Sequence, residues 1–303
     1  MFINEQSYMP INGVPQYVSI RAESEHAPLL LYLHGGPGDA ALPLTLKYNK
    51  ALEEYFTVVI WEQRGAGKSY YPFDGTVTLE DFMQDLLVLT ERLLSRFHQP
   101  NLFLLAHSWG SVLGLNFVQR HPELVRAYVG CGQVVNMKKS CRIAYDFALA
   151  HATGNALARL EGIDCSYTGE HWLDDLLFVT GQVVKHKGSL YRQSSYGKLV
   201  FPFLWSKYYT LLDLVRRQKG SLQSIRALWQ ELMGTNFELQ RQYRVPIVLV
   251  EGRYDSHVSS ALAKDYFDTL ETEKQFFWFE ASCHFPQWTE HQRFNQLIID
   301  LFA

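Results

Sequence analysis

The sequence predicts an α/β fold: a mainly parallel central sheet with helices on both faces and an inserted helical cap. Three observations carry that prediction. Continuous apolar runs such as PLLLYL (28–33), FTVVIW (56–61) and NLFLLA (101–106) suit strands covered on both faces. Segments of helical periodicity alternate with them, the pattern of parallel strands joined by helical crossovers. The alternation stops near residue 135 and resumes at VPIVLVEG (245–252). The chain therefore divides into a core of residues 1–134 and 242–303 and a helical cap of residues 135–241.

The elements follow in order. QYVSIRA (16–22) and the runs at 28–33 and 56–61 are the first strands. Thr78 opens an amphipathic helix in which Leu79, Phe82, Leu86, Leu89 and Leu93 recur at helical spacing. Thr78 and Asp81 form a capping-box pattern, with Asp in place of the usual Glu or Gln. The strand at 101–106 leads into the helix WGSVLGLNFVQRH, stopped before Pro122, and LVRAYVG (124–130) is the next strand. The inserted segment reads as helices and loops dense in aromatics, notably FPFLWSKYY (201–209). After it come a strand at 245–252, a helix near 259–270, the strand KQFFWFE (274–280) and a last helix near 288–302.

Composition narrows the function classes. The 303 residues are 47% hydrophobic and 19% charged, enough for a sizeable core and too apolar for wholesale disorder. A formal charge of −3 argues against a nucleic-acid partner held by global charge. No apolar run approaches the roughly 20 residues of a membrane helix, and the first residues lack the basic and apolar regions of a secretory signal. Cys131, Cys141, Cys165 and Cys283 make no CxxC pair, which fits free thiols in a reducing cytoplasm. No metal-binding spacing such as HExxH occurs. Neither a metal nor another cofactor is expected. The expected partner is a small-molecule or short-peptide substrate, with no membrane or nucleic acid.

Chemistry concentrates in four places. In LFLLAHSWGSVLGL (102–115), Ser108 stands where a strand becomes a helix, with small residues, Ala106 and Gly110, two positions on either side. Such a turn pushes the hydroxyl out above the sheet, toward the positive end of the following helix. A serine that only caps the helix would read the same way in isolation. LYLHGGPG (31–38) sets a glycine-rich turn directly after a strand, where backbone amides can approach a substrate oxygen. EGRYD (251–255) and EASCHFPQW (280–288) place Asp255 and His284 after the two late strands. Serine, acid and histidine in that order, each at a strand's C-terminal end, is the α/β-hydrolase arrangement. His257 is the rival base. Cys283, beside His284, is where a bulky thiol reagent is expected to block the site.

HGGPG, WEQRGAGKS and HSWGS together resemble the proline iminopeptidase group of α/β-hydrolases, the S33 serine peptidases, across residues 28 to 130 and 245 to 290. The resemblance implies Ser108 as nucleophile, Asp255 as acid and His284 as base, with the amides of Gly36 and Trp109 as the oxyanion hole. Glu62 stands where the family usually has Asp, and Glu62, Arg64 and Ser69 are expected to build the loop. Family caps hold carboxylates for the substrate's free amino terminus. Glu170, Asp174, Asp175 and Glu231 are the candidates here, although no acid lies between Asp175 and Asp213. The implied activity is an aminopeptidase releasing N-terminal residues from small peptides. A carboxylesterase or amidase for small apolar acyl substrates is the alternative, and a non-catalytic ligand-binding protein is the third.

Overall fold

The computed structural model describes residues 2–303. It opens with a hairpin, β1 (Ile3–Ile11) and β2 (Val14–Ala22), joined at Asn12 and Gly13. Both turn residues have positive φ, +46° and +79°. Asn-Gly tolerates that conformation, and the resulting twist matches the flanking strands. β1 is polar and mostly exposed, so it carries no buried strand pattern. The Asn-Gly pair is the signal that marks it.

The chain continues through β3 (Leu29–Leu33), α1 (Leu42–Tyr48), β4 (Thr57–Glu62), α2 (Leu79–Phe97), β5 (Leu102–His107), α3 (Trp109–Arg120) and β6 (Val125–Cys131). Five helices follow: α4 (Met137–His151), α5 (Gly154–Glu161), α6 (Trp172–Lys185), α7 (Gly197–Leu204) and α8 (Leu211–Gly234). The sheet resumes with β7 (Ile247–Gly252), α9 (Ser260–Thr269) and β8 (Lys274–Phe279), and the chain closes with α10 (Pro286–Thr289) and α11 (His291–Phe302). The eight strands lie in the order β1-β2-β4-β3-β5-β6-β7-β8. Pairing is parallel from β4 across to β8, while β2 runs antiparallel to both β1 and β4.

Every residue of β3, β4, β5 and β7 is buried, as continuous apolar runs require of strands covered on both faces. One face packs on α2 and α3 through Phe82, Leu86, Leu89, Val112 and Leu115; the other packs on α1 and α11 through Leu44, Phe294 and Ile298. The capping box of α2 forms: Asp81 N–H donates to the Thr78 hydroxyl while the Asp81 carboxylate accepts from Thr78 N–H. The shorter Asp serves because it bonds the Thr78 hydroxyl as well.

The WEQRGAGKS loop is fastened at both ends. Arg64 donates two hydrogen bonds, of 2.7 and 2.8 Å, to buried Asp85 on α2. Ser69 donates to the Glu62 carbonyl at 2.6 Å and accepts from Tyr17 N–H at 2.7 Å. The Glu62 carboxylate accepts from Lys68 N–H and from the Tyr209 hydroxyl of the inserted segment. Burial pushes Glu62 up to about 7, opposed by those donors. Lys68 also reaches Asp213 of α8 at 2.9 Å. Glu62, Arg64 and Ser69 thus hold one loop and tie it to the inserted helices.

Candidate active site

Ser108 links β5 to α3 with φ +53° and ψ −121°, a strained conformation for a residue with a side chain. The next strand steadies it, since Ser108 N–H donates to the Cys131 carbonyl at 3.1 Å. Its own carbonyl accepts from Ser111 N–H and from the Ser111 hydroxyl. The turn is so tight that a Cβ on Gly110 would lie 2.3 Å from the Leu33 carbonyl oxygen. Trp109 is the first residue of α3, so its amide has no intrahelical acceptor.

The HGGPG loop follows β3 and faces this turn. Gly36 has φ +128°, a backbone that residues with a Cβ rarely adopt. His34 accepts Gln63 N–H at Nε2 (3.2 Å), which places its proton on Nδ1, donating to the Gly35 carbonyl at 2.7 Å. Gln63 in turn accepts from the Trp109 indole N–H at 2.9 Å. Gln63 therefore couples the loop carrying Gly36 to the helix carrying Trp109. Sequence reasoning missed it, because a buried glutamine inside a loop motif has no periodicity to mark it.

Asp255 lies after β7 and His284 after β8. Asp255 Oδ1 accepts the amides of His257 (2.8 Å) and Val258 (3.0 Å), and Oδ2 accepts Nδ1–H of His284 at 2.8 Å. With its proton on Nδ1, His284 keeps Nε2 as an acceptor. Burial pushes His284 well below the usual imidazole range and pushes the Asp255 carboxyl up. His257 offers Asp255 its backbone amide rather than its ring. That ring lies tilted against His284 instead, with centroids 4.7 Å apart. His107 is buried against His284 and bonds its carbonyl through Nε2 at 2.9 Å, a packing role. Burial pushes His107 well below the usual range.

Ser108, Trp109, Gly36, His257 and His284 line one cavity of about 370 Å³. Much of its lining is apolar, including Val134, Met137, Tyr167, Val183, Ile225 and Trp229. The inserted helices supply most of it.

Glu170, Asp174, Asp175 and Glu231 do not line this cavity, contrary to expectation. Asp174 and Asp175 occupy the first turn of α6, where carboxylates complement the helix dipole. Glu231 is exposed and accepts Leu79 N–H at 2.8 Å, at the start of α2. Glu170 is exposed. Among the described residues, the one carboxylate lining the cavity is Asp39, just after HGGPG, and the one cation is Arg217 of α8. The two are paired, Arg217 Nε donating to Asp39 Oδ1, which also accepts Ala40 N–H at 2.7 Å. Nothing in the local pattern of HGGPGDA distinguishes Asp39 from an ordinary turn residue.

Residues 28–163 match the model of the family described as the alpha/beta hydrolase fold. A probable aminopeptidase of Bacillus subtilis, YbaC, is 31% identical over 293 residues, covering 94% of this chain and 92% of that protein. The chain belongs to the proline iminopeptidase-like α/β-hydrolases. A proline iminopeptidase of Heyndrickxia coagulans is 24% identical to this hydrolase over 289 residues, 89% of each chain. The crystal structure of the Mycobacterium smegmatis proline iminopeptidase superposes with a TM-score of 0.66 at 16% identity, covering 99% of this chain and 97% of that one. At that identity the superposition speaks for the fold alone.

Proposed function

We propose that this hydrolase is a serine aminopeptidase that releases N-terminal residues with apolar side chains from small peptides. Ser108 is the nucleophile. Neutral His284 takes its proton at Nε2 as the oxygen attacks the scissile carbonyl, and Asp255 holds the ring tautomer and stabilises the cation that forms. The amides of Gly36 and Trp109 receive the developing oxyanion, and water then cleaves the acyl-enzyme. Proton transfer and a preformed pair of amide donors suffice for this acyl transfer.

One observation carries the peptidase reading. A substrate ammonium buried beside an acyl-enzyme needs a carboxylate, because an unpaired buried charge costs several kcal/mol. Asp39 lines the cavity, and a Cβ on Gly36 would lie 3.3 Å from the Asp39 Cβ. A carbonyl oxygen held by the Gly36 amide would leave the adjacent α-ammonium within reach of Asp39. Arg217 and Ala40 both bond Oδ1, and no donor among the described residues bonds Oδ2. The cavity's apolar lining then takes the side chain, with more room than a pyrrolidine ring fills.

The esterase or amidase reading draws on the same largely apolar lining, whose one carboxylate Arg217 already partners. Aminoacyl anilides, N-blocked anilides and simple acyl esters separate the two. The peptidase reading expects free amino termini to be preferred, and Asp39→Asn to raise KM for them by tenfold or more while leaving ester turnover within a few-fold. Equal cleavage of blocked and free substrates would leave the esterase reading standing.

A further inference from the structure

The inserted segment carries a surface that hydrolysis does not use. Among the described residues, thirteen large hydrophobic side chains are exposed, and seven of them fall between positions 200 and 215. They are Val200, Phe201 and Leu204 at the end of α7, Trp205 beyond it, and Leu211, Leu212 and Val215 at the start of α8. Trp205 is 86% exposed and Leu211 75%. Thirteen such side chains scattered singly would need no explanation, whereas seven at one helix–helix corner form a patch of the kind that marks an interaction site.

Along the segment that carries the corner, the exposed charge has one sign. Lys198, Lys207 and Lys219 are exposed. From position 176 to 230 the chain holds a single carboxylate, Asp213, which is buried and already paired with Lys68 (2.9 Å) and Arg216 (3.5 Å). Exposed tryptophan, phenylalanine and leucine interspersed along the chain with exposed lysine is the chemistry of a surface that lies on anionic lipid: apolar side chains enter the acyl boundary and the ammonium groups meet the headgroups. A two-fold contact with a second copy would set these lysines against themselves, with no exposed acid on the segment to answer them.

We propose that the α7–α8 corner docks the hydrolase reversibly on anionic phospholipid surfaces. No helix of the described residues is long and apolar enough to cross a membrane, so the contact is peripheral. Its position has a consequence for the active site. Val200 belongs both to the corner and to the cavity lining, and exposed Leu177 of α6 also lines the cavity. A docked molecule therefore opens its cavity toward the lipid, and substrates that partition into lipid enter without crossing bulk water.

Flotation of the purified protein with vesicles of phosphatidylglycerol, or of phosphatidylcholine alone, tests this directly. The protein should float with the anionic vesicles, stay behind with the neutral ones, and be released by high salt. Trp205→Ser combined with Leu211→Ser should abolish flotation, and Lys198→Gln or Lys207→Gln should each weaken it about five-fold. All four side chains are exposed, so the variants should melt at the wild-type temperature, which separates lost docking from lost folding. Absence of flotation on anionic vesicles, or equal flotation on both kinds, would overturn the proposal. Self-association in solution that disappears with Trp205→Ser, with no vesicle binding, would assign the corner to a second copy instead.

Discussion

At the scale of single residues, the site turns on which imidazole faces Asp255. Two histidines stand close enough to compete, and their rings lie against each other. The carboxylate separates them by giving its Oδ2 to the His284 ring and its Oδ1 to the His257 backbone. His284→Ala should therefore be as damaging as Ser108→Ala, each costing about six orders of magnitude in turnover if the members act as a unit. His257→Ala should retain most activity. A fluorophosphonate should label Ser108 in the wild type and not in Ser108→Ala. Initial rates of the three variants on one chromogenic substrate decide the point, and an active His284→Ala would show the base to be misassigned. Ala106, where a stricter elbow has glycine, is explained at this scale too. It is fully buried, and a Cβ on Gly114 of α3 would come 3.1 Å from its methyl group, so the bare Gly114 leaves room for it.

At the scale of elements, the ends of β6 and β7 are held together by an acid the chemistry does not need. Glu251, in β7, is buried and accepts Gln133 N–H at 2.8 Å through Oε1, while Oε2 has no partner. Burial pushes its carboxyl well above the usual range. The folded state then keeps a proton that an unfolded chain releases near pH 4.3. Its contribution to stability is full below that pH and is lost as pH rises toward the folded value, at about 1.4 kcal/mol per pH unit. Glu251→Gln keeps the acceptor for Gln133 and removes the titration. Its melting temperature relative to wild type should rise steadily from about pH 5 to about pH 7. A difference independent of pH would mean that Glu251 is ionised in the fold.

At the scale of the whole molecule, burial decides which thiols can react. Cys283 adjoins His284 in sequence, which suggested a reagent-sensitive site. It is buried, and burial pushes its thiol up to about 12, so little thiolate is present to attack a reagent. Cys131 and Cys141 are buried as well, and both thiols are pushed up. Cys165, half-buried between α5 and α6, is the exception. Thiol titration of the native protein should show one fast cysteine, lost in Cys165→Ser, and all four after denaturation. Fast modification of native Cys283, located by peptide mapping, would contradict this burial.

The sequence by itself determined the sheet and the elbow. Continuous apolar runs suit strands covered on both faces, and the glycine-rich turn, the late acid and the late histidine in chain order separate this serine from one that only caps a helix. It also determined the order in which Ser108, Asp255 and His284 leave their strands. Each of those signals is local, since it depends on side-chain size, polarity and spacing within a few residues. β1 escaped because an exposed edge strand has no buried face to imprint a pattern, although Asn12-Gly13 announced its turn. Only the tertiary structure decided which charges enter the cavity. Asp174, Asp175 and Glu231 have the composition of ligands but serve helix ends, whereas Asp39 and Arg217, 178 positions apart, meet in the lining of the cavity. Whether a carboxylate faces solvent, a helix terminus or a buried cavity depends on how the inserted helices pack over the sheet, and that packing is a long-range property no local window contains.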